Sequence, residues 1–219
     1  MKKYITELHC HTKESSWKCG RVPAAEIMDK YIAAGYSTIV ITDHFGGTHV
    51  SDKGLEYHTS LFFEGYNAAV KANKNINVIL GMEINLNESA NDYLLYGITK
   101  ELILNNKKMY EWDIKQLCEW AHNNGVLVYQ AHPFRNGLKV IPPNICDGIE
   151  VFNAHPKHDS RNHIAKLWAE TYNLNCISGS DAHHPEYMAL SGITTDHEIK
   201  NIDDLLNTLR NKNYNLITY

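Results

Sequence analysis

The sequence predicts one α/β barrel domain over residues 1–219, and three observations carry that expectation. Short apolar, β-branched runs alternate with helical stretches, which indicates a parallel sheet covered on both faces. A length of 219 residues suits a single α/β barrel. Most of the strand-like runs end in histidine or a carboxylate, at the end where such barrels build their sites.

In chain order, Tyr4–His9 reads as a strand. A helix follows from about Pro23 to Ala34, with proline in its first turn and Gly35 as its stop. Thr38–Thr42 is a buried β-branched strand and Leu55–Ala72 a helix. Asn77–Ile84 and Tyr93–Ile98 are the next strands, and Asp113–Asn123 is a helix ending before Gly125. Val126–Gln130 and Gly148–Phe152 are strands, and a helix from about Ser160 to Tyr172 precedes the strand Cys176–Ser178. The chain closes with a short segment Gly192–Thr195, a helix Ile202–Asn211 and an extended piece Tyr214–Thr218. No repeat, low-complexity tract or linker divides it.

A hydrophobic content of 43% supports a substantial core. The net charge of −4 and pI near 6.3 leave no basic surplus to grip a nucleic-acid backbone, so a long nucleic acid is a disfavoured partner. A local basic site for a small phosphate remains compatible with that balance. The first six residues lack an apolar signal core and no stretch reaches the length of a membrane span, so the expected location is the cytoplasm. Five scattered cysteines without CxxC pairing point to reduced thiols. Thirteen histidines is a high count for this length, and their positions carry the functional reading.

The first strand ends in His9-Cys10-His11, whose alternation sends both imidazoles to one face and Cys10 to the other. Thr42-Asp43-His44, Gly81-Met82-Glu83, Ala131-His132-Pro133 and Ser180-Asp181-Ala182-His183 end four further strands. Singly, each has an ordinary explanation: a surface HxH, a strand-end cap at Asp43, a solvated glutamate, a core histidine before a rigid turn. Jointly they place imidazoles and carboxylates on one rim, where desolvation is unfavourable unless cations neutralise them.

Across Glu7-Leu8-His9-Cys10-His11-Thr12, Ile41-Thr42-Asp43-His44, Gly81-Met82-Glu83, Ala131-His132-Pro133-Phe134-Arg135 and Gly179-Ser180-Asp181-Ala182-His183, the sequence resembles the PHP family, named for polymerase and histidinol phosphatase domains. The resemblance implies a distorted (β/α)7 TIM-like barrel with two or three divalent ions (Zn, Mn or Fe) at the strand ends. It also implies phosphate-ester hydrolysis by a metal-bridging hydroxide. By the same resemblance, His9, His11, Glu83 and Asp181 hold a first metal. Glu83 bridges to a second that also takes His132, while His44 and His183 serve a third position. Imidazole and carboxylate suit these ions without any cysteine. Two such ions roughly 3.5–4 Å apart can share and activate a hydroxide.

Two positions depart from the family pattern. The usual second-metal histidine of the fourth strand is Tyr93 here, so Asp92 becomes the substitute oxygen ligand or the second site is weaker. The usual third-metal ligand is absent from the loop Lys13–Gly20, leaving Cys19 or a water in its place. The preferred reading is a dinuclear centre with a third ion open.

Arg135 is the expected phosphate clamp, because a guanidinium binds a phosphoryl group bidentately. Lys13 and Arg21, in the first loop, and Asn153 are further candidates for substrate contact. Glu150 and Asn153 end the sixth strand, where they can orient the histidines. Asp43 is expected either to orient the site or to protonate the leaving oxygen. His49, His58, His155, His158 and His163 are expected at the solvent surface, and His122 and His197 in structural roles. The leading function is a phosphatase or phosphodiesterase for a small metabolite such as histidinol phosphate or a nucleotide. An amidohydrolase-type hydrolase is the alternative enzyme, disfavoured because Glu83 takes the bridging place and no strand-end lysine is present. A metal-binding regulatory module without catalysis is the third reading, and Tyr93 keeps it open.

Overall fold

The β-branched run at residues 38–41 has every side chain buried, so it needs neighbours on both edges and cover on both faces. In the computed structural model, which describes residues 3–73 and 75–218, it lies inside one sheet. The expectation about the first six residues includes Met1 and Lys2, which lie outside the described residues, as do Lys74 and Tyr219. The strands are β1 (Tyr4–Glu7), β2 (Thr38–Ile41), β3 (His44–Gly46), β4 (Asn77–Asn85), β5 (Asp92–Tyr96), β6 (Leu127–Gln130), β7 (Gly148–Asn153), β8 (Asn175–Gly179), β9 (Gly192–Thr195) and β10 (Asn215–Ile217). The helices are α1 (Ala24–Ala33), α2 (Leu55–Ala72), α3 (Lys100–Asn105), α4 (Ile114–Asn123), α5 (Asn162–Tyr172) and α6 (Ile202–Asn211).

The order across the sheet is β10-β9-β1-β2-β4-β5-β6-β7-β8, with β3 continuing beside β4 beyond β2. Ser178 of β8 donates its hydroxyl to the Gly192 carbonyl of β9, and Tyr214 reaches the Cys176 carbonyl, so the two ends of the sheet nearly meet. Leu8, Val40, Leu94, Tyr96, Tyr129, Ile177 and Ile193 converge in one buried cluster that packs onto Leu205, Leu206 and Leu209 of α6. The chain therefore forms the expected distorted α/β barrel. Among the described residues, no helix is long and apolar enough to cross a membrane.

The barrel is not parallel throughout, which corrects the expectation. β5 runs antiparallel to both β4 and β6, and β9 antiparallel to β1 and β10. Only residues 86–91 join β4 to β5, and a parallel return needs a crossover of a dozen or more residues. The reversal places the first residue of β5, Asp92, at the rim reached by the last residues of β4, with Asn85 opposite Asp92.

Two short elements had no signal in the sequence. β3 resumes pairing with β4 after the chain breaks at Thr42 and Asp43. α3 is six residues long, too short to show a helical period, and is capped by the Thr99 hydroxyl accepting from Leu102 N. By contrast, α4 carries a legible capping box, in which Asp113 and Gln116 satisfy each other's backbone amides.

Gly65 lets α2 approach the first loop. Its amide donates to Ser15 Oγ at 2.7 Å, and a Cβ there would fall 2.0 Å from Thr12 Oγ1 and 2.3 Å from Asp43 Oδ2. Gly65→Ala is therefore expected to destabilise the protein by about 1–3 kcal/mol, since overpacking forces the loop or the helix to shift. Thermal unfolding checks this: the midpoint should fall by roughly 2–12 °C at this chain length. An unchanged midpoint would show that the contact is not tight.

Candidate metal centre

Beyond β1 the chain stays extended, and Cys10 bridges Ala182 as a parallel partner, so the segments leaving β1 and β8 enter the rim side by side. His9 and His11 turn inward, while Cys10 packs among Ile27, Met28 and Tyr31 of α1. His132 after β6 and Asp181 after β8 both adopt positive φ, 28° and 50°. Non-glycine residues rarely do so, and such strain re-aims a side chain where the surrounding structure holds it.

Glu83 is the hub. Its Oε1 lies 3.2 Å from His9 Nε2 and 3.1 Å from His132 Nε2. Its Oε2 lies 3.3 Å from His11 Nε2 and 2.8 Å from His44 Nδ1. Asp181 Oδ1 stands 3.5 Å from both His9 Nε2 and His11 Nε2, and 3.3 Å from His183 Nδ1. His9 and His11 are fully buried, and Glu83 and Asp181 are each 1% exposed. Yet His9 Nε2, His11 Nε2, His44 Nδ1 and Glu83 Oε2 have no hydrogen-bond partner: they are close together but not aligned to bond. Buried polar atoms are rarely left this way without an ion or water to serve them.

The donor sets also fit cations. Ligand atoms lie within 4.8 Å of one another in the groups His9/His11/Glu83, His9/His132/Asp181, Glu83/Asp92/His132, His11/His44/His183 and Cys19/His44/His49. Every residue expected as a ligand falls in one of these groups. Tyr93 points elsewhere: strand alternation turns it away from Asp92 into the hydrophobic cluster with Phe45 and Leu95.

Burial opposes ionisation of Glu83, but the charges of His9 and His44 outweigh it and hold the carboxyl well below its usual range. The same balance holds for Asp181, where His9, His11, His183 and Arg135 prevail over burial. Burial, reinforced by Glu83, pushes Asp92 up to about 6. Burial also opposes ionisation of the Cys19 thiol, but hydrogen bonds with His183 and His44 draw it down to about 5.

A family model described as the PHP domain matches residues 7–216. The chain belongs to the PHP-domain family. Solved structures share the fold at low identity. PsfC from Pseudomonas syringae PB-5123 is 16% identical with a TM-score of 0.72, covering 94% of this chain and 88% of that one. The lesion-specific endonuclease PfuEndoQ from Pyrococcus furiosus is 14% identical with a TM-score of 0.68, covering 98% and 58%. A two-domain protein containing a predicted PHP-like metal-dependent phosphoesterase, from Bacteroides vulgatus ATCC 8482, is 18% identical with a TM-score of 0.66, covering 98% and 64%. This chain thus spans less than two thirds of the latter two. None of the curated proteins compared with the sequence matches it.

Around the Glu83 cluster, further side chains fix the orientation of its imidazoles and carboxylates. Glu150 Oε1 accepts from His9 Nδ1 at 2.9 Å, which turns Nε2 toward Glu83. Its Oε2 accepts from His132 N and from Asn153 Nδ2. Asn153 also donates to Asp181 Oδ2, at 3.1 Å. Both Asp43 oxygens are taken by Thr12 and Ser16, so its carboxylate organises the first loop. Arg135 Nη2 bonds Asp181 Oδ2 at 2.7 Å, Asn153 Oδ1 at 3.0 Å and Ser160 Oγ at 3.2 Å, while its Nε has no partner.

A cavity of about 350 Å³ opens over the centre. Arg21 and Arg135 line it, whereas the side chain of Lys13 is exposed and is not part of the lining. Lys18 and Lys157 line it instead, and sequence alone did not single them out. His49 and His155 also face the cavity, although both were expected at the solvent surface. His155 is 8% exposed, and His58 is buried within α2 at 3%. Glu7, read only as part of a motif, is fully buried and accepts from both Leu8 N and His9 N at 3.0 Å.

Proposed function

We propose that this chain is a metal-dependent phosphoesterase acting on a compact phosphorylated molecule. The observation that carries the reading is Arg135, a guanidinium tied through Nη2 to Asp181 and lining the same cavity as the orphaned imidazole nitrogens. A guanidinium beside a ligand carboxylate is placed to bind a phosphoryl oxygen while the ester lies over the centre. Lys18, Arg21 and Lys157 add positive charge to the lining, and none of them pairs with a carboxylate among the described residues. A cavity of about 350 Å³ matches a small molecule better than a duplex. The net charge of −4 supports the same choice.

Divalent ions held by His9, His11, Glu83, Asp181 and His132, with Asp92 as a further oxygen donor, would supply Lewis acidity toward the phosphoryl group and acidify a water. The chain's own contribution is positional. Glu150 fixes the His9 ring, Asn153 aligns Asp181 with Arg135, and Arg135 neutralises charge on the phosphoryl oxygens. Because Thr12 and Ser16 occupy both oxygens of Asp43, its proposed role is to orient the first loop rather than to protonate a leaving group.

Turnover of p-nitrophenyl phosphate and bis-p-nitrophenyl phosphate with added Mn or Zn tests the reading. Arg135→Ala is expected to lower kcat/KM by about 10–100-fold, the worth of a charge-assisted hydrogen bond, and Arg135→Lys to recover only part of it. Absence of turnover with any metal, despite bound ions, would overturn the phosphoesterase reading. Cleavage confined to an abasic DNA duplex would overturn the compact substrate.

A further inference from the structure

Asp181 orients His183: the ring Nδ1 lies 3.0 Å from the Asp181 carbonyl oxygen, so Nδ1 carries the proton and Nε2 presents a lone pair. That lone pair faces His44 Nε2 at 3.3 Å. On the opposite edge of the His44 ring, Nδ1 stands 2.8 Å from Glu83 Oε2. A neutral His44 therefore sets a lone pair against an acceptor in either tautomer. With the proton on Nε2 the conflict is at Glu83, and with the proton on Nδ1 it is at His183. The His44 side chain is only 10% exposed, so solvent gives little relief. A cation removes the conflict, either a proton that makes His44 an imidazolium or a metal ion shared by the two Nε2 atoms.

A sulfur and a further imidazole converge on the same place. Cys19 Sγ and ring nitrogens of His44 and His49 lie within 4.8 Å of one another, as do those of His11, His44 and His183. The His49 ring stacks on His44 with centroids 3.9 Å apart. The Lys18 ammonium donates to the Thr48 carbonyl, tying the loop that carries Cys19 to the turn that carries His49. Tetrahedral zinc, with bonds of about 2.0–2.3 Å, holds its donors about 3.5 Å apart. Within each of these two groups, which share His44, the donors already lie within 4.8 Å and need only small side-chain movements to reach that spacing.

We propose that Cys19, His44, His49 and His183 form a thiolate–imidazole zinc site on the cavity wall, joined to the Glu83 centre through the His44 ring. The resemblance had placed His44 and His183 at a third position; Cys19 and His49 change what that position selects. A thiolate is a soft donor that favours zinc over manganese, whereas the Glu83–Asp181 centre offers only imidazole nitrogen and carboxylate oxygen. The two neighbouring positions thus differ in metal preference. The inference rests on the metal-dependent reading but not on which ester is cleaved, and its readouts concern the sulfur atom rather than turnover.

Iodoacetamide labelling of Cys19 in the intact protein, read by peptide mass spectrometry, tests it. Zinc should slow labelling at least about tenfold, and manganese should not, because only a bonded thiolate is withheld from the reagent. Cobalt-loaded protein should show a thiolate-to-cobalt charge-transfer band in the near ultraviolet that Cys19→Ser lacks. By elemental analysis, Cys19→Ser should hold one zinc fewer but as much manganese as the wild type. His49→Ala should keep the band but need about tenfold more zinc for protection. Equal labelling with and without zinc, or identical cobalt spectra for the wild type and Cys19→Ser, would overturn the site. Loss of the phosphoesterase reading would leave both measurements unaffected.

Discussion

Glu83→Gln is expected to lose at least one bound metal ion and to reduce turnover by roughly 10³-fold or more, because one side chain serves two donor groups at once. Its two oxygens lie within 3.3 Å of ring nitrogens from His9, His11, His44 and His132. Those rings come from β3 and from the chain just beyond β1 and β6, so replacing the carboxylate removes the one negative charge they share. Glutamine keeps the volume, which separates loss of charge from loss of packing. Elemental analysis of the purified variant decides the matter, and full metal content would show that Glu83 does not bridge. Glu83→Ala is expected to behave alike in metal content, with an added loss of stability from the cavity it leaves.

Glu7→Gln is expected to destabilise the fold by about 1–3 kcal/mol for each hydrogen-bond donor it strands, the scale for leaving a buried donor without its acceptor. Glu7 is fully buried at the end of β1. Its Oε1 accepts from Leu8 N and His9 N at 3.0 Å and from Ser180 N at 2.9 Å. Its Oε2 accepts from Tyr31 OH at 2.7 Å and from the Ser180 hydroxyl. One carboxylate therefore clamps the backbone on both sides of the rim, next to His9 and Asp181. An amide turns an NH₂ group toward donors and strands at least one of them without an acceptor. The unfolding midpoint should fall by roughly 2–12 °C for each stranded donor in a chain of this length. A midpoint within about two degrees of the wild type would show that the clamp contributes little.

The limits of the sequence are clearest at β5. The apolar run was visible, but its direction was not, because direction depends on how few residues connect it to β4. The reversal brings Asp92 to the rim, and strand alternation sends Tyr93 into the hydrophobic cluster. Lys13 and Lys18 differ in the same way. Both belong to the first loop, yet only Lys18 lines the cavity, and a loop has no period from which to read facing. His49 and His155 had looked like surface residues because loop histidines usually are. His155 packs against Tyr187, far along the chain, and His49 folds back through the turn after β3 onto the nearby His44, a reversal that a loop without a period does not announce.

By itself the sequence determined the barrel class, the α2 and α6 boundaries, and the rim residues His9, His11, His44, Glu83, His132, Asp181 and His183. These follow from local rules: β-branched runs pack, helices keep their period, and a polar residue at the end of an apolar run stands out. The tertiary structure decided strand direction, the Glu7 clamp, the Arg135–Asp181 pairing and the meeting of Cys19 with His44 and His49. Apart from strand direction, which the short connection 86–91 imposes, these features join segments far apart in the chain, and such contacts are settled only when the closed sheet and its loops bring their side chains within bonding distance.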